Sequence, residues 1–465
     1  MTKIWKAAMP LLMVSVAPAA FAQDEAEPVE MIAAVETALR SNPEIIQAQM
    51  NTEAIQFERE QAQGQFLPTV DLEASAGFRR LENNTRSALG IADDWLNPLE
   101  ASVTADWTIF DFGRRRGELH RQAARVDGAS LRVVERSEFV ALQVAREYLN
   151  VLLQERIVAA AADNVRFHEL MVTNLAEGVD QGSISVADRQ QAEERLQSAI
   201  VLQTEAEQGL RNAQISLRRL TGLDIYEVLL PPDLSANLPR SEEEAIGLAR
   251  TNNPLVREAQ ADVDAAHAMV DAAEGELYPR IGVDVRGRIG EDIDGFRGET
   301  NDVQARVYLR WNIFNGGIYR SQVQEMVRRA SEARYALHDR VRQAEEDVST
   351  AWNALETQGR VGEALERQSA VSDDLLLSYR SQFNIGRRSL LDVLDAQNTR
   401  FNTQVRRETS RFSELFAEYQ VLAATNQLLE ALGLEPGAGA NMQERERFDY
   451  GPSAPAELQR RRYPR

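Results

Sequence analysis

"LEASVTADWTIFDFG", Leu99 to Gly113, places Leu99, Ala101, Val103, Ala105, Trp107 and Ile109 on one side of an extended chain, with Glu100, Ser102, Thr104, Asp106 and Thr108 on the other. Alternation with a period of two marks a strand that has one apolar face. Three further runs share the pattern. Val70, Leu72, Ala74, Ala76 and Phe78 oppose Asp71, Glu73, Ser75 and Arg79. Ile281, Val283, Val285 and Ile289 oppose Asp284, Arg286 and Arg288. Val303, Ala305, Val307, Leu309, Trp311 and Ile313 oppose Gln304, Arg306, Tyr308, Arg310 and Asn312. The spacing predicts strands at about 69–81, 98–110, 280–290 and 302–314, each long enough to cross a bilayer when tilted.

A soluble antiparallel sheet with one face on a core would give the same alternation. Two features favour lipid instead. The rest of the chain offers long helices, with no compact layer to cover an apolar face of this size. Trp107 and Trp311 also fall at matching strand ends, where an aromatic belt meets the membrane interface. Four strands cannot close a barrel alone, and an open edge in lipid leaves backbone groups unsatisfied. Several copies must therefore pool their strands, and three copies of four strands give twelve, within the known bacterial range.

The chain repeats itself once. Asn42-Pro43 recurs as Asn253-Pro254, "FLP" at 66–68 as "LYP" at 277–279, and "WTIFDFG" at 107–113 as "WNIFNGG" at 311–317. Further on, "GSISVADRQQA" at 182–192 lines up with "GRRSLLDVLDA" at 386–396, and "TGL" at 221–223 with "LGL" at 432–434. Landmarks in the same order mean a duplicated unit. Each copy reads as a helix opened by an Asn-Pro start, two strands joined by a polar loop, and a long helical hairpin, at 113–221 and 317–432. The first helix of each hairpin contains no proline and would run about 100 Å at 1.5 Å per residue. In the returning helices, Leu196, Ala199, Ala206, Leu210, Ala213, Leu217 and Leu220, and then Phe401, Val405, Phe412, Leu415, Tyr419, Leu422 and Leu429, form coiled-coil seams, interrupted at Gln203 in the first and at Glu408 and Asn426 in the second.

The fold class is therefore mostly α with membrane β. Its repeats lie at 23–222 and 241–434, joined by a proline-rich linker at 223–240 near the middle of the helical section. The tail, 435–465, is rich in Gly, Pro and Arg and is expected to be poorly ordered or draped on the outside.

The first 22 residues read as an export signal: Lys3 and Lys6, an apolar run from Met9 to Ala20, and the Ala20-Phe21-Ala22 cleavage pattern. The formal charge is −20, and loss of those two lysines makes the mature chain about two units more acidic. An acidic chain repels phosphate, so no nucleic-acid partner is expected. There is no cysteine, which excludes disulfides and thiol chemistry.

Together these residues resemble the TolC-type outer-membrane channels of bacterial efflux and type I secretion. The likeness rests on the Asn-Pro helix starts, "FLP" before the first strand, the Trp-x-Ile-Phe-x-x-Gly pattern after the second, and "GRRSLLDVLDA" at the far turn. It implies a homotrimer with a twelve-stranded β-barrel in the outer membrane, continuing into an α-helical barrel across the periplasm. Conduction would be passive, with energy from an inner-membrane partner, either an ABC exporter or a proton-driven pump, engaged through a periplasmic adaptor (membrane fusion) protein. A signal without cysteine departs from the lipid-anchored efflux members. The tip wording "FNIGRRSLLDVLDAQN" is closer to the type I secretion members.

In that architecture the turns around Gly182 and around Phe383 and Gly386 are the periplasmic tips. Asp392 and Asp395 share a helix face, and threefold symmetry would stack them into two carboxylate rings that attract cations. Capping by Ser389 and Ser185 explains Asp392 and Asp188 equally well, but not Asp395, a turn deeper. The resemblance further implies a closing link between Arg388 and Asp188 of a neighbouring helix pair. Phe383 stands where the family has a tyrosine hydroxyl, and Ala187 where it has a hydroxyl residue.

Other constellations give nothing. His168-Glu169 begins like a zinc-protease motif, but Val172 occupies the second histidine's place. His120, His168, His267 and His338 are scattered over helical stretches and are expected at the surface. No phosphate loop and no nucleophile constellation occurs, so neither enzyme activity nor a cofactor is expected. The different-class alternative is a soluble periplasmic coiled-coil adaptor, which leaves the four strands unexplained.

Overall fold

The computed structural model describes residues 28–225 and 227–450; the expected signal, 1–22, lies outside the described residues. The first repeat runs α1 (Met31–Ser41), α2 (Pro43–Gly64), β1 (Thr69–Ala76), β2 (Arg79–Arg80), α3 (Asn84–Ala88), β3 (Trp95–Leu96), β4 (Leu99–Phe110), α4 (Arg114–Asp180) and α5 (Val186–Thr221). The second runs α6 (Glu242–Asn252), α7 (Pro254–Gly275), β5 (Arg280–Glu291), β6 (Glu299–Arg310), α8 (Ile318–Asn384), α9 (Leu390–Ala424) and α10 (Leu428–Ala431), followed by α11 (Glu444–Arg447).

The two Asn-Pro starts have the same geometry. Each asparagine side chain accepts a hydrogen bond from the amide two residues on, Glu44 and Leu255, at 2.9 Å, with proline at the first helical position. α1 and α6, just ahead of these caps, are not foreseen by the sequence pattern.

The four long strands form one antiparallel sheet in the order β1-β4-β5-β6, so β4 and β5 join the repeats and β1 and β6 are open edges. This sheet is inside out by the standards of a soluble protein. Leu72 is 76% exposed and Val303 82%, while the polar face is stitched by ion pairs. Arg286 meets Glu100 at 2.8 Å, Arg288 meets Asp302 at 3.1 Å, and Arg306 meets Asp284 at 3.0 Å. The Tyr308 hydroxyl adds a hydrogen bond to Asp106 at 3.1 Å.

Two strands are shorter than the alternation suggests, for a shared reason. β1 stops at Ala76 opposite Leu99, because Pro98 before that partner has no N–H to continue the ladder. β6 stops at Arg310 opposite Arg280, which follows Pro279. The segment between β1 and β4 is polar in sequence, yet it buries Arg86 almost completely. That guanidinium donates to the carbonyls of Ile91 at 2.6 Å and Asp94 at 3.0 Å, and to that of Gly295.

α4 and α8 have 67 residues each, about 100 Å of helix, and pack along α5 and α9 respectively. α9 ends at Ala424 and does not continue to Leu432. Asn426 takes a left-handed φ of 58°, and the Gln427 amide turns back to the Leu422 carbonyl at 2.8 Å, which starts the separate α10.

The largest core lies midway along the helices, around Tyr148, Leu217, Tyr419 and Leu428. The Tyr148 hydroxyl lies 2.7 and 2.8 Å from the carbonyls of Val29 and Leu229, which share its one proton, and that of Tyr419 donates to Pro232 at 3.0 Å, so the linker is clamped at this level. The segment after Glu435 is draped on the helices as far as Tyr450. Arg445 pairs with Asp127 of α4 at 2.7 Å and with Asp264 of α7. Tyr450 stacks on His120, with ring centroids 4.4 Å apart. His120, His168 and His267 are all buried, contrary to the surface expectation, because each sits on a helix face covered by a neighbouring element.

Candidate functional site

Both tips are built by one turn used twice. Gly182 and Gly386 take φ of 74° and 72°, a region that favours glycine. The Gly182 amide returns to the Val179 carbonyl and that of Gly386 to Phe383, each at 2.9 Å. The next amides reach five residues back, Ser183 to Gly178 and Arg387 to Gln382, also at 2.9 Å, which closes a Schellman turn.

The following serines cap α5 and α9. Ser185 Oγ accepts from the Asp188 amide at 3.1 Å and Ser389 Oγ from the Asp392 amide at 3.2 Å. Each hydroxyl then donates to the same aspartate's carboxylate, at 2.7 and 2.8 Å. Asp188 and Asp392 therefore hold helix starts. Asp395 is different: its side chain is 62% exposed, and its one ion-pair neighbour among the described residues is Arg195 of α5, at 4.0 Å. At that distance and exposure the pair is weak, and most of the Asp395 charge is left uncompensated.

Arg388 and Asp188 are not brought together within the chain. Arg388 Nη1 lies 3.8 Å from Asp392, its Nε donates to Gln382 at 3.3 Å, and its guanidinium carbon stands 4.0 Å above the Tyr379 ring. Tyr379 was not singled out in the sequence, although it lies one turn before Phe383 on the same helix. Phe383 packs beside the apolar tip cluster of Met171, Leu175, Leu376, Leu390 and Leu394. A second feature missed from sequence is the buried pair Gln397 and Asn164, joined at 2.8 Å, which ties α9 to α4 above that cluster.

At the other end, Trp107 and Trp311 keep the duplication to the level of single hydrogen bonds. Trp107 Nε1 donates to the Phe66 carbonyl at 2.9 Å and Trp311 Nε1 to the Leu277 carbonyl at 3.1 Å, equivalent positions of the "FLP" and "LYP" turns. Both rings remain about half exposed beside the apolar face. Arg115 is buried next to them. It is bound to Asp111 at 2.8 Å and to the Gln65 and Ile109 carbonyls, and it lies over Phe66 at 4.8 Å. It locks the sheet to the start of α4.

Among the described residues no helix is long and apolar enough to cross a membrane, and no group of three His, Cys, Asp or Glu could hold a metal.

Comparison with known proteins agrees with this geometry. A family model described as outer membrane efflux protein matches residues 34–223 and 245–434, one stretch per repeat. The chain is similar to the outer membrane efflux protein BepC of Brucella suis, at 27% identity over 299 residues. That match covers 63% of this chain and spans 64% of the relative's length. It is also similar to the outer membrane protein TolC of Escherichia coli, at 22% identity over 84% of this chain and 80% of that one. Among solved structures, the CmeC outer membrane channel of Campylobacter jejuni superposes with a TM-score of 0.76 at 15% identity, covering 90% of this chain and 88% of that one. The fold is TolC-like.

Proposed function

We propose, on the premise that this chain belongs to the outer membrane efflux protein family, that three copies form the exit duct of an envelope-spanning export system. One observation carries the reading: a sheet whose exposed face is apolar and whose two edges are unpaired. The edges are also complementary. On the polar face β1 offers Asp71 and Glu73, and β6 offers Arg306 and Arg310. Unlike edges joined head to tail close into a ring, and closure removes the edges that lipid cannot tolerate. The 67-residue helices would then extend the duct into the periplasm, with Asp395 at its mouth and Arg388 exchanging its 3.8 Å contact with Asp392 for Asp188 of an adjacent copy.

Outer-membrane lipid would cover the apolar face. A periplasmic adaptor and an inner-membrane ABC exporter or proton-driven pump would supply the energy that a passive duct lacks. Type I protein secretion is the reading favoured by the tip sequence "GRRSLLDVLDAQ". The alternative is small-molecule efflux; the family description and the name of the Brucella relative both say efflux, without naming a cargo.

The test is fractionation followed by reconstitution. The mature protein is expected in the outer-membrane fraction, and the purified protein in planar bilayers is expected to give stepwise, cation-preferring conductance. Recovery wholly in the soluble periplasm would overturn the proposal.

A further inference from the structure

Near the middle of the molecule, a cavity of about 570 Å³ lies between α4, α8, the start of α7 and the end of α9. Its walls are of two kinds. Phe139, Leu142 and Pro254 make one side apolar; Glu138, Glu346 and Asp347 make the other acidic, and no arginine or histidine lines it among the described residues. Glu135 also lines the cavity but is held by Arg136, and the neighbouring Glu345 is held by Arg250, so the local arginines are already paired.

A separate observation points to a guest. Glu138 is only 7% exposed; its Oε1 accepts from the Leu429 amide at 3.3 Å, but its Oε2 has no hydrogen-bond partner. Asn426, set in its left-handed conformation at the end of α9, presents a second buried oxygen, Oδ1, that also lacks a donor. Both residues line this cavity. Two buried oxygens without hydrogen-bond partners in one space are costly, and a molecule carrying N–H groups would satisfy both, once the Glu138 carboxyl gives up its proton.

We propose that the cavity binds a primary organic ammonium with an apolar body. Its N–H groups donate to Glu138 Oε2 and Asn426 Oδ1, its charge faces Asp347 and Glu346, and its hydrocarbon lies along Phe139, Leu142 and Pro254. A bare metal ion fits poorly, because the described residues hold no metal-ligand cluster and half the wall is apolar. A quaternary ammonium carries the charge but no N–H donor, and a neutral alcohol of the same shape lacks the charge.

Proton release supports this choice and supplies a readout. Burial, with Glu430 as a lesser contributor, pushes the Glu138 carboxyl up to about 8, so it carries a proton at neutral pH. Glu135 lies one turn before it on α4, Glu346 and Asp347 come from α8 opposite, and none of these is a cation. A bound ammonium favours the ionised form and expels that proton.

The probe is phenethylammonium, titrated calorimetrically into the full detergent-solubilised chain at pH 7 in two buffers of different ionisation enthalpy. Its N,N,N-trimethyl analogue and 2-phenylethanol serve as comparisons. Saturable binding at least tenfold tighter than either comparison is expected, with net proton release. Glu138→Gln should weaken it at least tenfold and abolish the release, Asp347→Asn should weaken it severalfold, and the surface change Glu363→Gln should leave it unaltered. Equal affinity for the trimethyl analogue, or no saturable binding, would overturn the proposal. If Glu138→Gln does not fold, undiminished binding by Asp347→Asn does the same. None of these outcomes depends on channel activity, so the cavity and the duct stand or fall separately.

Discussion

The guanidinium carbon of Arg388 stands 4.0 Å above the ring of Tyr379, one helical turn before Phe383. Phe383 stands where the resembled family has a tyrosine hydroxyl, and the aromatic that meets the arginine is its neighbour on the helix, Tyr379. Such a contact is worth about 0.5–1 kcal/mol, or about two- to fivefold in an equilibrium. If Arg388 holds tips together, Arg388→Ser should raise single-channel conductance or open probability, and Tyr379→Ala should raise it by about that factor. Tyr379→Phe should change little, since the ring and not the hydroxyl makes the contact. Planar-bilayer recordings of the three variants separate these outcomes; an unaltered Arg388→Ser channel would remove the arginine from the gate.

The two tip aspartates should behave differently. Asp392 is occupied by Ser389 and Arg388, whereas among the described residues Asp395 has one ion-pair neighbour, Arg195, at 4.0 Å. Asp395→Ala is therefore expected to lower cation preference more than Asp392→Ala, read as a shift of reversal potential in a salt gradient. Ser389→Ala should leave selectivity alone and cost about 1 kcal/mol of helix stability, visible as faster proteolysis at the tip.

Edge charge should control assembly. If β1 and β6 of adjoining copies pair, replacing Asp71 and Glu73 by lysine sets like charges against the arginine-bearing β6 edge, where like cross-strand charges destabilise a sheet. The assembled fraction after detergent extraction, measured by light scattering, is expected to fall. Reversal without any loss of assembly would contradict head-to-tail pairing through these edges.

Stability should depend on pH through Glu138. Its carboxyl is raised from an ordinary 4.5 to about 8, chiefly by burial. A raised acid contributes stability that is fully present below the unfolded value and is lost as pH rises through the folded one. The melting temperature is expected to fall between pH 5 and pH 9, and Glu138→Gln should flatten part of that fall while changing little at pH 5. Parallel curves for the two proteins would show that Glu138 does not titrate in this range.

Arg445 should matter more than a surface residue near the end of a chain. It is the cation shared by Asp127 and Asp264, both nearly fully buried. Removing one partner of a buried ion pair costs about 3–5 kcal/mol. Arg445→Ala is expected to lower the melting temperature by several degrees and to expose the segment around Glu444 to protease, whereas Arg447→Ala, more than half exposed, should do neither.

What the sequence discloses is what local periodicity and local capping encode. The alternation from Leu99 to Ile109 reports a strand, and Ser185 and Ser389 report helix starts, because each signal lies within a few residues of its partner. Arg445 meets Asp127 across 318 residues and Arg86 meets Gly295 across 209, and nothing local announces either contact. The same holds for the buried histidines: His120 reads as a helix-surface residue until Tyr450 lies on it. The break at Asn426 is an intermediate case. Its place in the helical seam is visible as a flaw, but the left-handed conformation with which it ends α9 is not.

The two open edges of the β1-β4-β5-β6 sheet are expected to be closed by other copies of the same chain. Native mass spectrometry of detergent-extracted protein, with circular dichroism on the same sample, tests this closure directly. The expected result is a single species of three chains that retains its β-content; a monomer with undiminished β-content would contradict it.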